Sequence, residues 1–285
     1  MELIELENVG YSYGEGRPAL RNIDMSIRQG QRVAILGPNG AGKSTLFHLL
    51  NGLIAPESGT VTVDGLGVRR ENLRLIRAAV GLVFQDPDDQ LFNSTVRQEI
   101  AYGLVNMRVE GKELKESVDW ALDRVGMKGF DDRSPQSLSG GEKKRIAIAS
   151  VLAMKPKILV LDEPTAALDP RGASRLIELL NAIHRELGMT LLFATHDVDS
   201  VPLLADHVYL LSKGEIVLGG TTDEVFKRKD LLREIDLRLP RVAHLAELLA
   251  RDGFMAKGDL PLTIGGAKSA IEDREIAGPS RFRHE

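Results

Sequence analysis

Residues 32–45 read RVAILGPNGAGKST, an apolar run that stops at a glycine-rich turn. Gly37 to Ser44 fits the pattern G-x-x-x-x-G-K-[ST]. The run RVAIL predicts a short buried strand, and Lys43 opens a helix expected to stop at Gly52. Between them, Gly37, Gly40 and Gly42 let the backbone wrap so that successive N–H groups point at phosphate oxygens. The helix start adds the positive end of its dipole. Gly37, Pro38, Asn39, Gly40, Ala41, Gly42, Lys43, Ser44 and Thr45 therefore form the expected phosphate cradle of a nucleotide. Lys43 would reach the β- and γ-phosphates as a point charge, and the Ser44 hydroxyl would ligate Mg²⁺.

A second apolar run supplies the complementary chemistry. Ile158 to Pro164 reads ILVLDEP, four apolar residues closed by two carboxylates. This places Asp162 and Glu163 at the carboxyl edge of a parallel sheet, where open α/β folds bind ligands. Asp162 suits the Mg²⁺ shell, and Glu163 can hold or deprotonate an attacking water.

The rest of the chain fits an α/β architecture around these two strands. Residues 1–65 read as short strands with turns, and 59–64 (GTVTVD) alternates cleanly. Strands are also expected at 158–161 and 190–195, with a hairpin at 208–211 and 215–218. Helices are expected at 174–187 and 240–253. Strands alternating with helices argue for a parallel core, and the helical period of residues 87–153 reads as an insertion in it. Residues 240–253 are amphipathic, with Val242, Leu245, Leu248 and Leu249 on one face, and the last dozen residues are expected to fray.

Composition narrows the function. The 285 residues suggest about two domains, and the absence of cysteine removes disulfide, thiolate-zinc, iron–sulfur and cysteine-nucleophile chemistry. A net charge of -4 gives no general attraction to nucleic acid. No apolar run approaches the ~20 residues that span a bilayer. The start MELIELENVG lacks the basic and apolar regions of a signal peptide, so a soluble intracellular chain is expected. His48, His207 and His244 read as structural residues.

Leu138 to Glu142 reads LSGGE, a capped helix start able to bind an anion, and Lys143, Lys144 and Arg145 after it read as a solvated face. In the order phosphate loop, LSGGE, acidic pair, the sequence resembles the ATP-binding cassette family, the ATPase subunits of ABC transporters. The resemblance covers residues 2–228. It implies a P-loop NTPase core with an N-terminal antiparallel β subdomain, a helical insertion subdomain over 87–153 and a C-terminal extension over 229–285. LSGGE resembles the family's signature motif, with Glu142 where Gln is commoner. Ser139, Gly140 and Gly141 would then contact the γ-phosphate of ATP held by a partner protomer. Gln85 resembles the Q-loop glutamine at Mg²⁺ or the attacking water, and Asp169 the aspartate at the dimer interface. His196 resembles the switch histidine at the γ-phosphate. Tyr13 resembles the aromatic that stacks on adenine, with Tyr11 as the alternative.

The stretch QDPDDQLFNSTV (residues 85–96), the KKR after the signature and LRLPRVAHLAELLARDGF (237–254) resemble energy-coupling-factor importer ATPases. The pattern is most similar to the ATPases of cobalt and nickel uptake, with vitamin uptake as the rival and a non-transport ABC ATPase as a further alternative. The resemblance implies ATP and Mg²⁺ as cofactors and dimerisation with itself or a similar ATPase subunit. It also implies integral membrane transport subunits as partners, no nucleic acid, and a peripheral place on the cytoplasmic face of the cell membrane.

Overall fold

Val33, Ala34, Ile35 and Leu36 are all fully buried. A strand with no exposed face must be covered on both sides, as in a parallel sheet flanked by two layers. The computed structural model describes residues 2–14, 16, 18–255 and 260–276. Its strands are β1 (Glu2–Ser12), β2 (Pro18–Arg28), β3 (Arg32–Leu36), β4 (Ser58–Val63), β5 (Leu66–Gly67), β6 (Val80–Val83), β7 (Ile158–Asp162), β8 (Thr190–Thr195), β9 (His207–Ser212) and β10 (Glu215–Thr221). Its helices are α1 (Lys43–Leu50), α2 (Leu73–Ala79), α3 (Val96–Asn106), α4 (Gly111–Arg124), α5 (Gly140–Leu152), α6 (Pro170–Leu187), α7 (Val201–Leu204), α8 (Thr222–Lys227), α9 (Lys229–Glu234), α10 (Arg241–Arg251) and α11 (Ile264–Ile276).

Two sheets form. β2-β1-β4-β5 is antiparallel, and β10-β9-β3-β8-β7-β6 is the larger sheet. In the larger sheet β9, β3, β8, β7 and β6 run parallel, and β10 returns antiparallel as a hairpin with β9. Strand alternation sorts the buried side chains between two apolar clusters. Ala34, Leu36, Leu159, Leu161, Leu191 and Phe193 face one cluster with α3, α4, α5 and α6. Val33, Ile35, Ile158, Val160, Leu192 and Ala194 face the other, with α1 and the antiparallel sheet. The period of two along each strand thus decides which layer each residue joins.

Local signals explain the helix boundaries. Thr95 accepts a hydrogen bond from the Gln98 amide and caps α3. Ser139 and Glu142 form a reciprocal capping box at the start of α5. Asp169 caps α6 with Pro170 in its first turn, so this helix begins four residues before the expected Ser174. Within the expected insertion, Pro87–Asp89 form a single helical turn, residues 90–95 are irregular and α3 begins at Val96.

The C-terminal extension joins the main cluster through Leu232, Leu237, Leu239 and Ala243. In α10 the sequence reading of the buried face is corrected. Ala243 and Ala246 are buried, whereas Leu245 is 57 % exposed and Val242, Leu248 and Leu249 are half-buried. The small side chains of Ala243 and Ala246 take the innermost positions, and Leu245 is left outside. The expected fraying of the final dozen residues falls largely outside the described residues. Among the described residues no helix is long and apolar enough to cross a membrane.

The N-terminal end of β3 is anchored by Arg32, whose Nε donates to Asp206 Oδ2 at 2.9 Å and whose Nη1 donates to Asn181 Oδ1 at 2.8 Å. This joins β3, α6 and the start of β9. The Arg32 hydrogen bonds hold the Asp206 carboxyl below its ordinary range. A carboxylate with a lowered folded pKa stabilises the fold above its unfolded pKa and loses that contribution as pH falls through the folded value. Arg32→Met should lower stability by about 1–2 kcal/mol at pH 7 in urea unfolding. The gap between parent and variant should shrink as pH drops below the usual carboxylate range.

Candidate functional site

The glycine turn after β3 is forced by its surroundings. Gly42 has φ 108°, a left-handed value that costs an L-residue strain. A Cβ on Gly37 would lie 2.2 Å from the backbone oxygen of Leu211. The turn therefore sits hard against β9 and delivers Lys43 into the first position of α1. Lys43 is 7 % exposed, and its Nζ donates to the carbonyls of Gly37 at 2.9 Å and Pro38 at 3.1 Å.

Residues from β7 and β8 converge on the same place. The Ser44 hydroxyl donates to Asp162 Oδ2 at 2.5 Å. Asp162 Oδ1 is buried and has no hydrogen-bond partner. Burial pushes the Asp162 carboxyl above its ordinary value, and the Ser44 hydrogen bond opposes this. An orphaned carboxylate oxygen beside a hydroxyl is a hard-oxygen donor set that fits a small divalent cation such as Mg²⁺.

Glu163 is 5 % exposed and has φ 44°. Its Oε1 lies 3.5 Å from Lys43 Nζ and 2.9 Å from His196 Nδ1. Its Oε2 accepts the Thr195 hydroxyl at 3.2 Å. Phosphate loop, Asp162, Glu163 and His196 are thus one cluster at the carboxyl ends of β3, β7 and β8. His196 remains half exposed, so one side of the cluster is open.

Tyr13 borders this cluster, with Thr45 Oγ1 3.4 Å from its hydroxyl. Its ring is 54 % exposed and packs edge-on against Tyr11, with centroids 4.9 Å apart. Tyr11 packs against the apolar cluster beneath, so Tyr13 is the aromatic with a free face.

Other expected residues lie apart from the cluster. Ser139, Gly140 and Gly141 line a separate groove with Ala167, Leu168 and Asp169, in which the phosphate loop takes no part. The Ser139 hydroxyl donates to Glu142 Oε2 at 2.7 Å. The Gln85 side chain is exposed and makes no hydrogen bond among the described residues.

The basic run after the signature corrects the sequence reading. Lys144 is 2 % exposed, and its Nζ donates to the carbonyls of Phe84 at 3.1 Å and Gln85 at 2.6 Å. Lys143 reaches Asp88 Oδ1 at 2.6 Å. Gln90 adds a third tie, accepting from the Phe84 amide at 3.2 Å and donating to the Ala147 carbonyl at 2.9 Å. The segment carrying Gln85 is therefore fastened to α5. Helical spacing to the buried Ala147, Ile148 and Val151 is the signal that places Lys144 on the inner face.

Comparisons with known proteins point to one family. The ABC transporter family pattern matches residues 20–166. A Clostridium acetobutylicum protein named as an ABC transporter ATP-binding protein is 58% identical over 96% of this chain and 98% of its own length. An energy-coupling factor transporter ATP-binding protein of Clostridium perfringens is 45% identical over 94% of this chain and 95% of its own. Among solved structures, cbiO1 from Clostridium perfringens, part of the ABC transporter complex cbiONQ, superposes with a TM-score of 0.75 at 45% identity. It covers 86% of this chain and 99% of its own. A dimeric ATP-binding cassette in a post-hydrolysis state with ADP and Pi superposes with a TM-score of 0.69 at 30% identity. It covers 77% of this chain and 98% of its own.

Burial pulls the Lys144 ammonium down to about 8, against the attraction of Asp162, Asp86 and Glu163. The unfolded chain then holds the lysine proton more tightly than the folded one. Between about pH 8 and the ordinary lysine value of 10.5, stability should rise with pH. Lys144→Met should remove that rise. The check is thermal unfolding of both proteins from pH 7 to 10.5, where the parent should gain on the variant as pH increases.

Proposed function

The chain belongs to the ABC transporter ATP-binding family, and we propose that it is the ATP-hydrolysing motor of an energy-coupling-factor importer that moves cobalt or nickel ions through separate membrane subunits. The observation that carries the motor reading is the meeting of Lys43, Ser44, Asp162, Glu163 and His196 at one sheet edge. The metal-ion cargo rests on the resemblance of residues 85–96 and 237–254 to such ATPases and on the likeness to cbiO1. Residues 1–228 serve as the ATP-binding domain, with 87–153 as its helical part and 229–285 as the extension.

In this reading the amides of residues 37–45 cradle the ATP phosphates, and Lys43 exchanges its carbonyl partners for phosphate oxygens. Tyr13 offers its free face to the adenine ring. Ser44 and Asp162, with Gln85 brought in from its loop, would hold Mg²⁺, and the ion would supply charge neutralisation on the phosphates. Glu163 orients a water in line with the γ-phosphorus and accepts its proton. The water oxygen bonds to phosphorus as the bond to the β–γ bridging oxygen breaks, releasing ADP and phosphate. Thr195 and His196 hold the Glu163 carboxylate in place for that step.

Ser139, Gly140 and Gly141 stand in a groove away from the phosphate loop of their own chain. This supports a dimer, of this chain with itself or with a similar ATPase subunit, in which each signature closes on the partner's nucleotide. The assembly would lie on the cytoplasmic face of the membrane. For the membrane subunit the structure offers Phe92 and Tyr102, exposed and packed edge-on with centroids 4.9 Å apart. The loop bearing Phe92 is held by Glu99, which accepts the amides of Phe92 at 2.9 Å and Asn93 at 2.7 Å.

Glu163→Gln should bind ATP as the parent does and hydrolyse it at least about 100-fold more slowly in a phosphate-release assay. Parental turnover in that variant would remove Glu163 from its role. Phe92→Ala combined with Tyr102→Ala should leave the basal ATPase rate unchanged and abolish cobalt or nickel uptake by vesicles carrying the whole transporter.

A further inference from the structure

The loop after β8 carries His196, yet it is held in place chiefly by side chains. Asp197 donates its amide to Thr195 Oγ1 at 3.0 Å, and that hydroxyl in turn donates to Glu163 Oε2. Asp197 Oδ1 accepts the Asp199 amide at 3.1 Å, and the Asp197 carbonyl accepts the Ser200 hydroxyl at 2.9 Å. Asp199 then turns its carboxylate away from the site and toward the C-terminal extension. Its Oδ2 accepts Arg238 Nη2 at 2.7 Å and lies 3.4 Å from Arg241 Nε. Its Oδ1 accepts the Arg241 amide at 2.6 Å.

The last bond explains a local oddity of the extension. Pro240 precedes α10 and provides no side-chain cap. The orphan amide at the start of α10 is therefore satisfied from the loop after His196, 42 residues earlier in the chain. A carboxylate in that place also complements the helix dipole. Leu237 and Leu239, on either side of Arg238, are buried in the same cluster as Val198 and Val201. The extension thus packs under the loop with its apolar residues and grips it with its arginines.

We propose that Asp199 is a positioning residue through which residues 238–241 of the extension hold His196 and Thr195 against Glu163. The hydrogen-bonded path runs from α10 to Asp199, through Asp197 and Thr195, to the carboxylate that orients the attacking water. This gives the extension a task in hydrolysis that it exerts through the loop after β8. The proposal rests on the reading of Glu163 and His196 as hydrolytic residues.

The Arg238–Asp199 pair is partly exposed, at 55%/30% for the two side chains. Exposed pairs contribute little to global stability, and the buried leucines remain when Arg238 is replaced. Arg238→Ala should therefore keep its unfolding temperature. Slight misplacement of a reacting group can slow catalysis strongly, so its kcat should fall about tenfold while KM for ATP stays within about twofold. Asp199→Ala should lose at least as much, and the double variant should lose no more than Asp199→Ala, because both act along one path. Added to Thr195→Val, measured in single turnover, Arg238→Ala should have no further effect, because the path reaches Glu163 through the Thr195 hydroxyl. Parental kcat in both single variants, or losses that multiply with that of Thr195→Val, would overturn the proposal. A loss traceable to unfolded protein in both would do the same. If His196→Ala itself hydrolyses at the parental rate, the underlying reading of the site fails instead, so the two failures are told apart.

Discussion

The buried carboxylate of Glu163 is where the three parts of the nucleotide site are tied together. It touches Lys43 from the phosphate loop, and Thr195 and His196 from the end of β8. Burying a carboxylate without hydrogen-bond partners is costly, so these contacts are a condition of its place. The backbone shows the same constraint. A φ of 44° costs a side-chain-bearing residue about 1–2 kcal/mol, and it persists because the Glu163 amide is bound to the Ala194 carbonyl at 3.0 Å. The strain turns the chain sharply after Asp162, so that consecutive carboxylates face different partners. Asp162 meets Ser44, and Glu163 meets Lys43 and His196.

The larger sheet makes this convergence possible. Parallel neighbours β3, β8 and β7 end on the same side, so loops distant in sequence open onto one edge. The two faces of the sheet then hold different helices. α1 packs on the face toward the antiparallel sheet, and α5 packs on the face toward the helical insertion. The phosphate loop and the signature are therefore carried by helices on opposite sides of one rigid layer. That separation explains why Ser139 to Gly141 stand away from the phosphate loop of their own chain. The link between the sides passes around the edge at β6, where Lys144 of α5 grips the carbonyls of Phe84 and Gln85.

Legibility in the sequence followed the distance between cause and consequence. The phosphate loop, the acidic pair after β7 and the capped start at Ser139 are contiguous motifs, and their chemistry is set by neighbours a few residues away. The buried strands were equally legible, because a run such as ILVLD allows no exposed face. Lys144 was not, since its partners lie 59 and 60 residues earlier in the chain, and a charged run reads as solvated until those carbonyls are known. α10 failed for a related reason. Its leucines give the stronger apolar stripe, but Ala243 and Ala246 take the innermost positions. Thr195 was hidden as the last residue of a buried strand, with nothing in TLLFAT to say that its hydroxyl serves Glu163.

The same geometry bears on how an ATP-driven motor could be switched. A nucleotide shifts a conformational equilibrium only as far as it binds one state better than the other. Here the phosphate loop and the groove lined by Ser139 to Gly141 lie apart, so on the proposed reading one chain would supply only part of the differential contacts for each ATP. On the proposed reading closure would come from a second chain, and whatever moves α5 toward that chain's nucleotide would drag the Gln85 loop through Lys144. On that reading, binding at one site and the position of Gln85 at the other would be parts of a single movement. The exposed Phe92–Tyr102 pair lies on the segment that follows Gln85, which is where a membrane subunit could feel that movement without touching the nucleotide. A transport path can accordingly belong wholly to other chains, since no helix among the described residues is long and apolar enough to cross a membrane.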